Sequence, residues 1–223
     1  IIPTHLRHFS EIDKNCLSFY TEKDSKSLNS KDKYVLICNS EIDEISPLVT
    51  YIFTNKPKAA FYRIAQFYKQ RSNEYGVHPS SVISPDSIVD KAAYIGPFCY
   101  LENCEIKAGV VLTSNISIFS NTTIGFGTIV NPNTTIGVDG VLYALGPNQK
   151  KIYMPSFRNT YIGDACIIGA NVTIAKGSLD DTIVGSNCNI GHGSKIGHDC
   201  KNILFQRFVE TSLKCKEIIC QER

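Results

Sequence analysis

The residues best suited to chemistry lie in the last third of the chain. His192 and His198 stand six residues apart, and an imidazole, with an ordinary pKa of about 6.5, suits proton transfer or metal binding. The sequence contains no glycine-rich phosphate loop, no Ser-His-Asp spacing and no redox motif. The two histidines are therefore the first candidates for a functional site, with plain surface side chains as the alternative.

A metal site built on this pair would need further ligands. The other histidines, His5, His8 and His78, lie at the opposite end of the sequence, whereas zinc takes three or four protein ligands. A zinc hydratase that borrows a histidine from a neighbouring subunit stays open as an alternative. We predict that the chain holds no metal.

Other charged residues near the histidines have simpler interpretations. We interpret Asp180 and Asp181 as turn and cap residues, with substrate contact as the alternative. Lys150, Lys151 and Lys176 carry charges that suit phosphate, but lysines in loops are usually solvated, and we interpret all three in that way.

A six-residue repeat must position these side chains. Aliphatic residues recur every six positions from Val77 to about Asn202, with one five-residue step, a long insertion after Ile136 and a shorter break after Ile174. A short repeat at fixed period is typical of a stacked solenoid. The repeated residues are Val77, Ile83, Val89, Ile95, Leu101, Ile106, Leu112, Ile118, Ile124, Val130, Ile136, Ile162, Ile168, Ile174, Val184, Ile190 and Ile196.

A small residue follows most of these aliphatic residues by four positions. A large and a small side chain that both point inward fill a narrow prism at the density of protein interiors, so the repeat predicts short strands of a parallel β-helix. Glycine often follows the aliphatic residue directly, as at Gly96 and Gly163, and we expect it to turn the corner between strands. The insertion, residues 138–158, must leave the prism and carries turn formers at Asp139 and Gly140 and at 146–148.

Asparagine and cysteine usage supports the same interpretation. Asn115, Asn121, Asn133 and Asn171 begin Asn-X-Ser/Thr sequences, which we interpret as turn residues rather than glycosylation sites. The nine cysteines include no CxxC pair. Four of them occupy the small inward position, which predicts reduced thiols and a cytoplasmic protein; these are Cys99, Cys166, Cys188 and Cys200.

The ends of the chain lack the repeat. Residues 1–76 contain two β-rich runs, Lys33–Cys38 and Leu48–Thr54, followed by helical spacing over Pro57–Tyr68, and predict a small α/β module. For residues 203–223 we predict a tail or cap, partly helical, with a degenerate continuation of the prism as the alternative. A net charge of +2 and 20% charged residues do not indicate binding to nucleic acid. No apolar run is long enough to span a bilayer.

The repeat resembles that of the left-handed β-helix acyltransferases. Within them, the chain resembles the UDP-3-O-acylglucosamine N-acyltransferases of lipid A biosynthesis. Four stretches carry this resemblance: LSFYTEKD at 17–24, NKPKAAFYRIAQF at 55–67 leading to GVHPSSVISP at 76–85, IGVDGVLY at 136–143, and IGANVTIAKGSLDDTIVG at 168–185. The fold class implied is a mainly β protein, a left-handed parallel β-helix over residues 77–202 with a small N-terminal α/β domain and a short C-terminal tail.

The resemblance also implies a mechanism. The family places its catalytic base in a unit written roughly IAHNV, which Ile196–Cys200 matches here, so His198 is the expected general base that takes a proton from the acceptor amine. Phe19 matches an aromatic residue that stacks on uracil, while Ser25 stands where a tyrosine is expected. We expect substrate contacts from Phe19 as well as from Asp139, Asn171 and His192.

The expected reaction moves an acyl group from an acyl-carrier-protein thioester to the amine of a UDP-amino sugar. The resemblance implies no bound cofactor, a homotrimer, and an active site at the seam between subunits. Two alternatives stay open at this point. One is an amino-sugar N-acetyltransferase of surface polysaccharide synthesis that uses acetyl-CoA or another short acyl-CoA, and the other is a non-catalytic degenerate homologue.

Overall fold

The computed structural model describes residues 2–20, 31–39, 46–68, 76–201, 207–208 and 212–213. The chain divides into two compact units, Ile1–Asn73 and Glu74–Arg223. Ser25, where the resemblance placed a departure from the uracil site, lies outside the described residues.

In its described residues, the first unit consists of a parallel sheet and one α-helix. Four strands pair in chain order, and the third is buried throughout, as continuous apolar runs in parallel sheets usually are. Helix α1 begins at a proline, which suits the first helical position, and its Ala60, Phe61 and Ile64 pack against the apolar sheet residues. The two β-rich runs and the helix predicted for this region are present. The elements are β1 His5–Leu6, β2 Cys16–Phe19, β3 Tyr34–Cys38, β4 Val49–Phe53 and α1 Pro57–Tyr68, with a 3-10 turn at Phe9–Glu11.

The second unit is a β-helix, which confirms the predicted fold class. Its strands stack in three parallel sheets, here called the first, second and third faces in the order in which the chain meets them. The first face is formed by β5 Gly76–Val77, β8 Tyr94–Ile95, β11 Val111–Leu112, β14 Ile129–Val130, β19 Ile167–Ile168, β22 Asn189–Ile190 and β24 Arg207–Phe208. The second face is formed by β6 Val82–Ile83, β9 Tyr100–Leu101, β12 Ser117–Ile118, β15 Thr135–Val138, β20 Thr173–Ala175, β23 Lys195–Ile196 and β25 Ser212–Leu213. The third face is formed by β7 Ile88–Val89, β10 Cys104–Ile106, β13 Thr122–Ile124, β18 Thr160–Ile162 and β21 Thr182–Val184.

The core of the prism consists of the repeated aliphatic residues and the small residues that follow them. From Ile95 to Ile196 every repeated aliphatic residue is at most 3% exposed, which confirms the predicted inward direction. Two inward threonines also bond to the backbone of the next coil: the hydroxyls of Thr128 and Thr134 donate to the carbonyl oxygens of Gly163 and Gly169, both at 2.8 Å. The polar atoms of these two side chains are thereby satisfied inside an apolar core. The first coil is less closed, because Val77 is 48% exposed.

The reason predicted for the glycines after the aliphatic residues is wrong for Gly96 and Gly163. Gly96 and Gly163 have ordinary negative φ, but a Cβ at Gly96 would lie 1.6 Å from the carbonyl oxygen of Thr113, and one at Gly163 would lie 2.5 Å from the amide nitrogen of Ser186. Both contacts are with the backbone of the next coil. The role of these glycines is therefore to let adjacent coils lie close together. They are not needed to turn the chain at the corner.

In most units, the chain changes direction at the residue two positions after the glycine position, where the backbone is left-handed. Asn115, Asn121, Asn133 and Asn171 all adopt positive φ between 52° and 61°, the left-handed conformation that asparagine tolerates better than most residues. Their interpretation as turn residues is confirmed.

Two segments depart from regular coils. Between β15 and β18, strands β16 Leu142–Leu145 and β17 Lys151–Met154 form the predicted antiparallel hairpin. Beyond residue 201, β24 and β25 pair in parallel with β22 and β23, so the described part of the tail continues the strand ladder, as the alternative of a degenerate continuation requires. The other residues of the tail lie outside the described ranges.

Candidate active site

The insertion after Ile136, the break after Ile174 and His198 lie at one corner of the prism, on consecutive coils. Strands β15, β20 and β23 are neighbours in the second face, and each leads into the corner before the third face. The insertion leaves after β15, the break follows β20, and His198 follows β23. Because coils stack at about 4.8 Å, these departures are brought close together. We call this edge the interrupted corner.

His198 is paired with the residue that follows it. Its Nδ1 lies 2.8 Å from Oδ2 of Asp199, and the two side chains are 34% and 28% exposed. Asp199 has φ of 60°, the left-handed conformation that asparagines adopt at other corners. The backbone N–H of Asp199 also donates to the hydroxyl of Thr182 at 3.0 Å. The carboxylate is therefore held in place beside the imidazole.

The other oxygen of Asp199 caps the break after β20. Oδ1 accepts hydrogen bonds from the backbone N–H groups of Ser178, Leu179 and Asp180 at 2.6, 3.2 and 3.1 Å. One carboxylate thus joins the break on one coil to the histidine on the next.

The environment of Asp199 favours its charged form. Burial raises the pKa of the carboxyl, but the hydrogen bonds from His198 and from the backbone at Asp180 and Ser178 outweigh burial, and the pKa is lowered from its ordinary value. Asp199 is therefore ionised at neutral pH, and its carboxylate accepts a hydrogen bond from Nδ1–H of His198. The lone pair of a neutral imidazole is then on Nε2, which is the arrangement a general base requires.

The insertion covers part of the histidine ring. A Cβ placed on Gly140 would lie 3.0 Å from Cδ2 of His198 and 3.3 Å from Cγ. The N–H of Gly140 donates to the hydroxyl of Ser156 at 3.1 Å, which joins the two ends of the insertion. The insertion therefore borders the Cγ–Cδ2 edge of the ring, and Cδ2 is the carbon bonded to Nε2.

A buried lysine lies on the coil between the insertion and His198. The side chain of Lys176 is 8% exposed; its Nζ donates to Oγ of Ser120 at 3.0 Å and lies 3.6 Å from Oδ1 of Asp139, which is 54% exposed. The interpretation of Lys176 as a solvated charge is wrong. Asp139, predicted as a substrate contact, is at the interrupted corner and is joined to this lysine.

Asn171 and His192 lie at a different corner, the one between the first and second faces. Nδ1 of His192 accepts a hydrogen bond from the backbone N–H of Ala170 at 2.7 Å, much as the carboxylate of Asp164 accepts from Phe126 at 2.8 Å. Strand β23 separates His192 from His198, so within the chain the structure does not bring them together. The substrate roles of Asn171 and His192 stay predictions.

Phe19 belongs to the first unit. Its ring centroid lies 4.8 Å from that of Phe61 and 6.3 Å from that of Tyr62, and Tyr62 is 54% exposed. Tyr62 also lines an open cavity of about 380 Å³ together with Lys56, Pro57, Lys58 and Ala59. Phe19 is thus partly used by the core of the unit, and its role in stacking on a base stays a prediction.

Two important side chains were not identified from the sequence. Asp199 carried a signal, because it directly follows the candidate histidine and stands at the corner position where many units have Asn or Gly. Lys176 carried none, since its burial depends on the path of the insertion. The cap role predicted for Asp181 is confirmed, because its Oδ1 accepts hydrogen bonds from the backbone and side-chain N–H groups of Asn159 at 3.0 and 3.1 Å.

Neither a metal cluster nor a membrane span is seen in the part of the chain that the structure describes. Among those residues, no three His, Cys, Asp or Glu side chains are grouped to hold an ion. Within the same ranges, no helix combines the length and the apolar character needed to cross a bilayer.

Comparison with known proteins gives several relatives. No protein-family model matches the chain. A UDP-3-O-acylglucosamine N-acyltransferase of Polynucleobacter asymbioticus is 28% identical over 174 residues, which are 67% of this chain and 49% of the relative. One of Paracidovorax citrulli is 38% identical over 139 residues, 60% of this chain and 41% of the relative. The predicted resemblance to the hexapeptide-repeat acyltransferases is confirmed.

Relatives of a second kind transfer an acyl group to oxygen. An acyl-[acyl-carrier-protein]–UDP-N-acetylglucosamine O-acyltransferase of Mesorhizobium japonicum is 35% identical over 128 residues, 56% of this chain and 43% of the relative. The crystal structure of a UDP-N-acetylglucosamine O-acyltransferase from Moraxella catarrhalis superimposes with a TM-score of 0.50 at 29% identity, covering 56% of this chain and 47% of that one. The chain spans about half the length of the curated acyltransferases it matches.

Proposed function

We propose that the chain carries the catalytic part of an acyltransferase that moves an acyl group from an acyl-carrier-protein thioester to the amine of a UDP-amino sugar. The observation that supports it most is the His198–Asp199 pair at the interrupted corner, bordered by the insertion. The names of the relatives support the chemical class, since they include acyl transfer to UDP-sugars from acyl-carrier protein.

In the proposed mechanism His198 acts as the general base. The carboxylate of Asp199 accepts a hydrogen bond from Nδ1–H, so Nε2 is free to remove a proton from the acceptor amine as the nitrogen attacks the thioester carbonyl carbon. The new C–N bond forms and the carbonyl oxygen carries the negative charge of the tetrahedral intermediate. Collapse breaks the C–S bond, and the leaving thiolate takes the proton from the imidazolium, which regenerates the neutral base. No covalent enzyme intermediate is needed.

The ionised Asp199 supports both halves of this cycle. It selects the tautomer with a lone pair on Nε2 and stabilises the imidazolium that forms during proton transfer, as the buried aspartate does in hydrolytic triads. Because Oδ1 is already held by three backbone N–H groups, the carboxylate does not need to reorganise as the charge on the ring develops.

The substrate contacts and the assembly belong to the same proposal. Phe19, Asp139, Asn171 and His192 are the proposed contacts with the nucleotide sugar. Outward positions on the first face include Ile129, which is half-buried, and Ile167, which is 48% exposed. Apolar outward residues suit burial against further copies, which supports a homotrimer with the site at the seam. Light scattering of the purified protein measures the number of subunits directly.

Turnover with a panel of donors and acceptors tests the activity. The purified protein is incubated with hydroxyacyl-carrier protein or acetyl-CoA, each with a UDP-sugar that carries either a free amine or only hydroxyl groups. We expect turnover with acyl-carrier protein and the amine. Turnover only with acetyl-CoA would overturn the proposed donor, and turnover only with the hydroxyl acceptor would overturn the proposed acceptor. The absence of turnover with every pair would overturn the proposed activity and favour a non-catalytic binding protein.

A further inference from the structure

We propose that Lys176 is a positioning residue, whose buried ammonium group fixes the start of the insertion against the ring of His198. The proposal rests on the proposed function in so far as His198 is the base. The contacts that carry it are those between Lys176, Ser120, Asp139 and Gly140 at the interrupted corner.

The burial of Lys176 requires an explanation, because a charge removed from water is unfavourable unless it is paired. Its side chain is 8% exposed, and its Nζ has two partners, the hydroxyl of Ser120 at 3.0 Å and the carboxylate of Asp139 at 3.6 Å. Ser120 belongs to an earlier coil of the rigid prism, whereas Asp139 begins the insertion. The lysine therefore connects a fixed point on the scaffold to the start of a loop.

The backbone reinforces this connection. The N–H of Lys176 donates to the carbonyl oxygen of Val138 at 2.7 Å, so both the main chain and the side chain of Lys176 hold the residues where the insertion leaves β15. At the end of β15 the strand register with β20 shifts, between Ile136 and Val138. The regular ladder thus ends here, and the side chain of Lys176 takes over its role in placing Asp139.

The position of Asp139 determines that of Gly140, the next residue. Gly140 lies so close to His198 that even a methyl group would reach to 3.0 Å from Cδ2. The ring is held at Nδ1 by Asp199 and is bordered on its other edge by the insertion. Loss of the lysine charge would release Asp139, which is 54% exposed and readily solvated, and would move the insertion away from the Cγ–Cδ2 edge of the ring.

The same geometry makes a direct role of Lys176 in substrate binding less favourable. An ammonium group that binds phosphate or a developing oxyanion must reach the ligand, whereas Nζ here is buried and directed to Ser120 and Asp139. A positioning role predicts that the charge of Asp139 matters as much as the charge of Lys176. A substrate-binding role of Lys176 predicts that, without substrate, neither charge affects the insertion or the ring of His198.

Two variants and a control separate these roles. Lys176→Met removes the charge and keeps the length of the side chain, and Asp139→Asn removes the opposite charge at an exposed position where folding is not at risk. Lys195→Met is the matched control, because Lys195 is an exposed lysine on the same face of the prism. Lys176→Arg tests for rescue by a conservative change.

Measurements without substrate decide the proposal independently of turnover. Limited trypsin digestion followed by mass spectrometry reports cleavage after Lys150 and Lys151, which are exposed in the hairpin, and imidazole NMR signals report the environment of His198. We expect cleavage at these sites to be at least about 5-fold faster in Lys176→Met and Asp139→Asn, with moved or broadened His198 signals, and no change in the control. Unchanged cleavage and unchanged His198 signals in both variants would overturn the proposal, even if the wild type proves inactive.

Where turnover is observed, kinetics add a second criterion. We expect kcat to fall about 10-fold or more in Lys176→Met with little change in KM. In Asp139→Asn we expect the same fall in kcat, together with a higher KM because Asp139 is also a proposed contact with the sugar. We expect no further loss of kcat in the double variant and partial recovery in Lys176→Arg. A loss confined to KM in Lys176→Met, or losses that add in the double variant, would show a direct substrate contact and overturn the positioning role.

Discussion

Replacement of Asp199 by asparagine tests the core of the proposed site. Asparagine has nearly the same shape and tolerates the positive φ of this corner, so the change mainly removes a charge. In the native protein one carboxylate binds Nδ1 of His198 at 2.8 Å and caps three backbone N–H groups of the break. In the variant, the single amide oxygen can accept hydrogen bonds either from the backbone N–H groups or from His198, but not from both sides as the carboxylate does.

The magnitude follows from these bonds. Hydrogen bonds to a charged group contribute about 1.5–3 kcal/mol and neutral ones about 0.5–1.5 kcal/mol. The three N–H groups share one oxygen of a partly exposed side chain. We therefore expect Asp199→Asn to lower the free energy of unfolding by about the difference between one charged and one neutral hydrogen bond, which is about 1–2 kcal/mol. If the amide oxygen keeps the cap, the NH₂ group faces Nδ1 of His198 and forces the proton onto Nε2. In hydrolytic triads the same tautomer error lowers kcat about 10⁴-fold, and here we expect a loss of at least about 100-fold.

The stability that Asp199 contributes should depend on pH in a defined direction. The pKa of Asp199 is lowered in the folded protein, so the stability it contributes is present above the unfolded pKa, about 3.9, and is lost as the pH falls through the lower folded value. Urea unfolding of the wild type and Asp199→Asn should therefore give a constant difference from pH 5 to pH 8 that shrinks below about pH 4. A variant within 3-fold of wild-type turnover, or a stability difference that grows on acidification, would refute the reasoning.

Two glycine substitutions test other contacts. Gly96→Ala should lower the free energy of unfolding by about 3 kcal/mol or more, since its Cβ would overlap the backbone of the next coil, while Gly127→Ala, with φ of 64° and open space around its Cβ, should lose only about 1–2 kcal/mol; equal losses in urea titrations would contradict the close-approach explanation. Gly140→Ala places a methyl group 3.0 Å from Cδ2 of His198 and should lower kcat about 10-fold with little change in melting temperature; unchanged kcat would show that the insertion does not border the reactive ring.

Much of the fold could be predicted from the sequence because the repeat is local. Each unit places one large residue and one small residue inward, and side chains such as Ile118 and Cys99 are buried as their position in the unit predicts. The turn role of the asparagines was also predictable, since it depends on the conformational preference of one residue. The glycine at position 96 was misinterpreted because its constraint comes from the next coil, which sequence spacing does not display.

The candidate site was predictable only in part. His198 was identified from its place in the repeat and the family resemblance, but the stacking of the insertion, the break and the histidine at one corner depends on the register of β15, β20 and β23. The burial of Lys176 depends in turn on where the insertion leaves that corner. Side-chain environments of this kind arise from contacts between coils that are far apart in the sequence.

The most direct test of the central claim is turnover by His198→Ala compared with the wild type. Both proteins are incubated with hydroxyacyl-carrier protein and a UDP-amino sugar, and the acylated sugar is measured by mass spectrometry, with His192→Ala as the matched histidine control. We predict that the wild type produces the acylated amine, that His198→Ala loses at least about 100-fold in kcat, and that His192→Ala retains more activity than His198→Ala. Wild-type turnover that persists undiminished in His198→Ala would contradict the assignment of His198 as the general base.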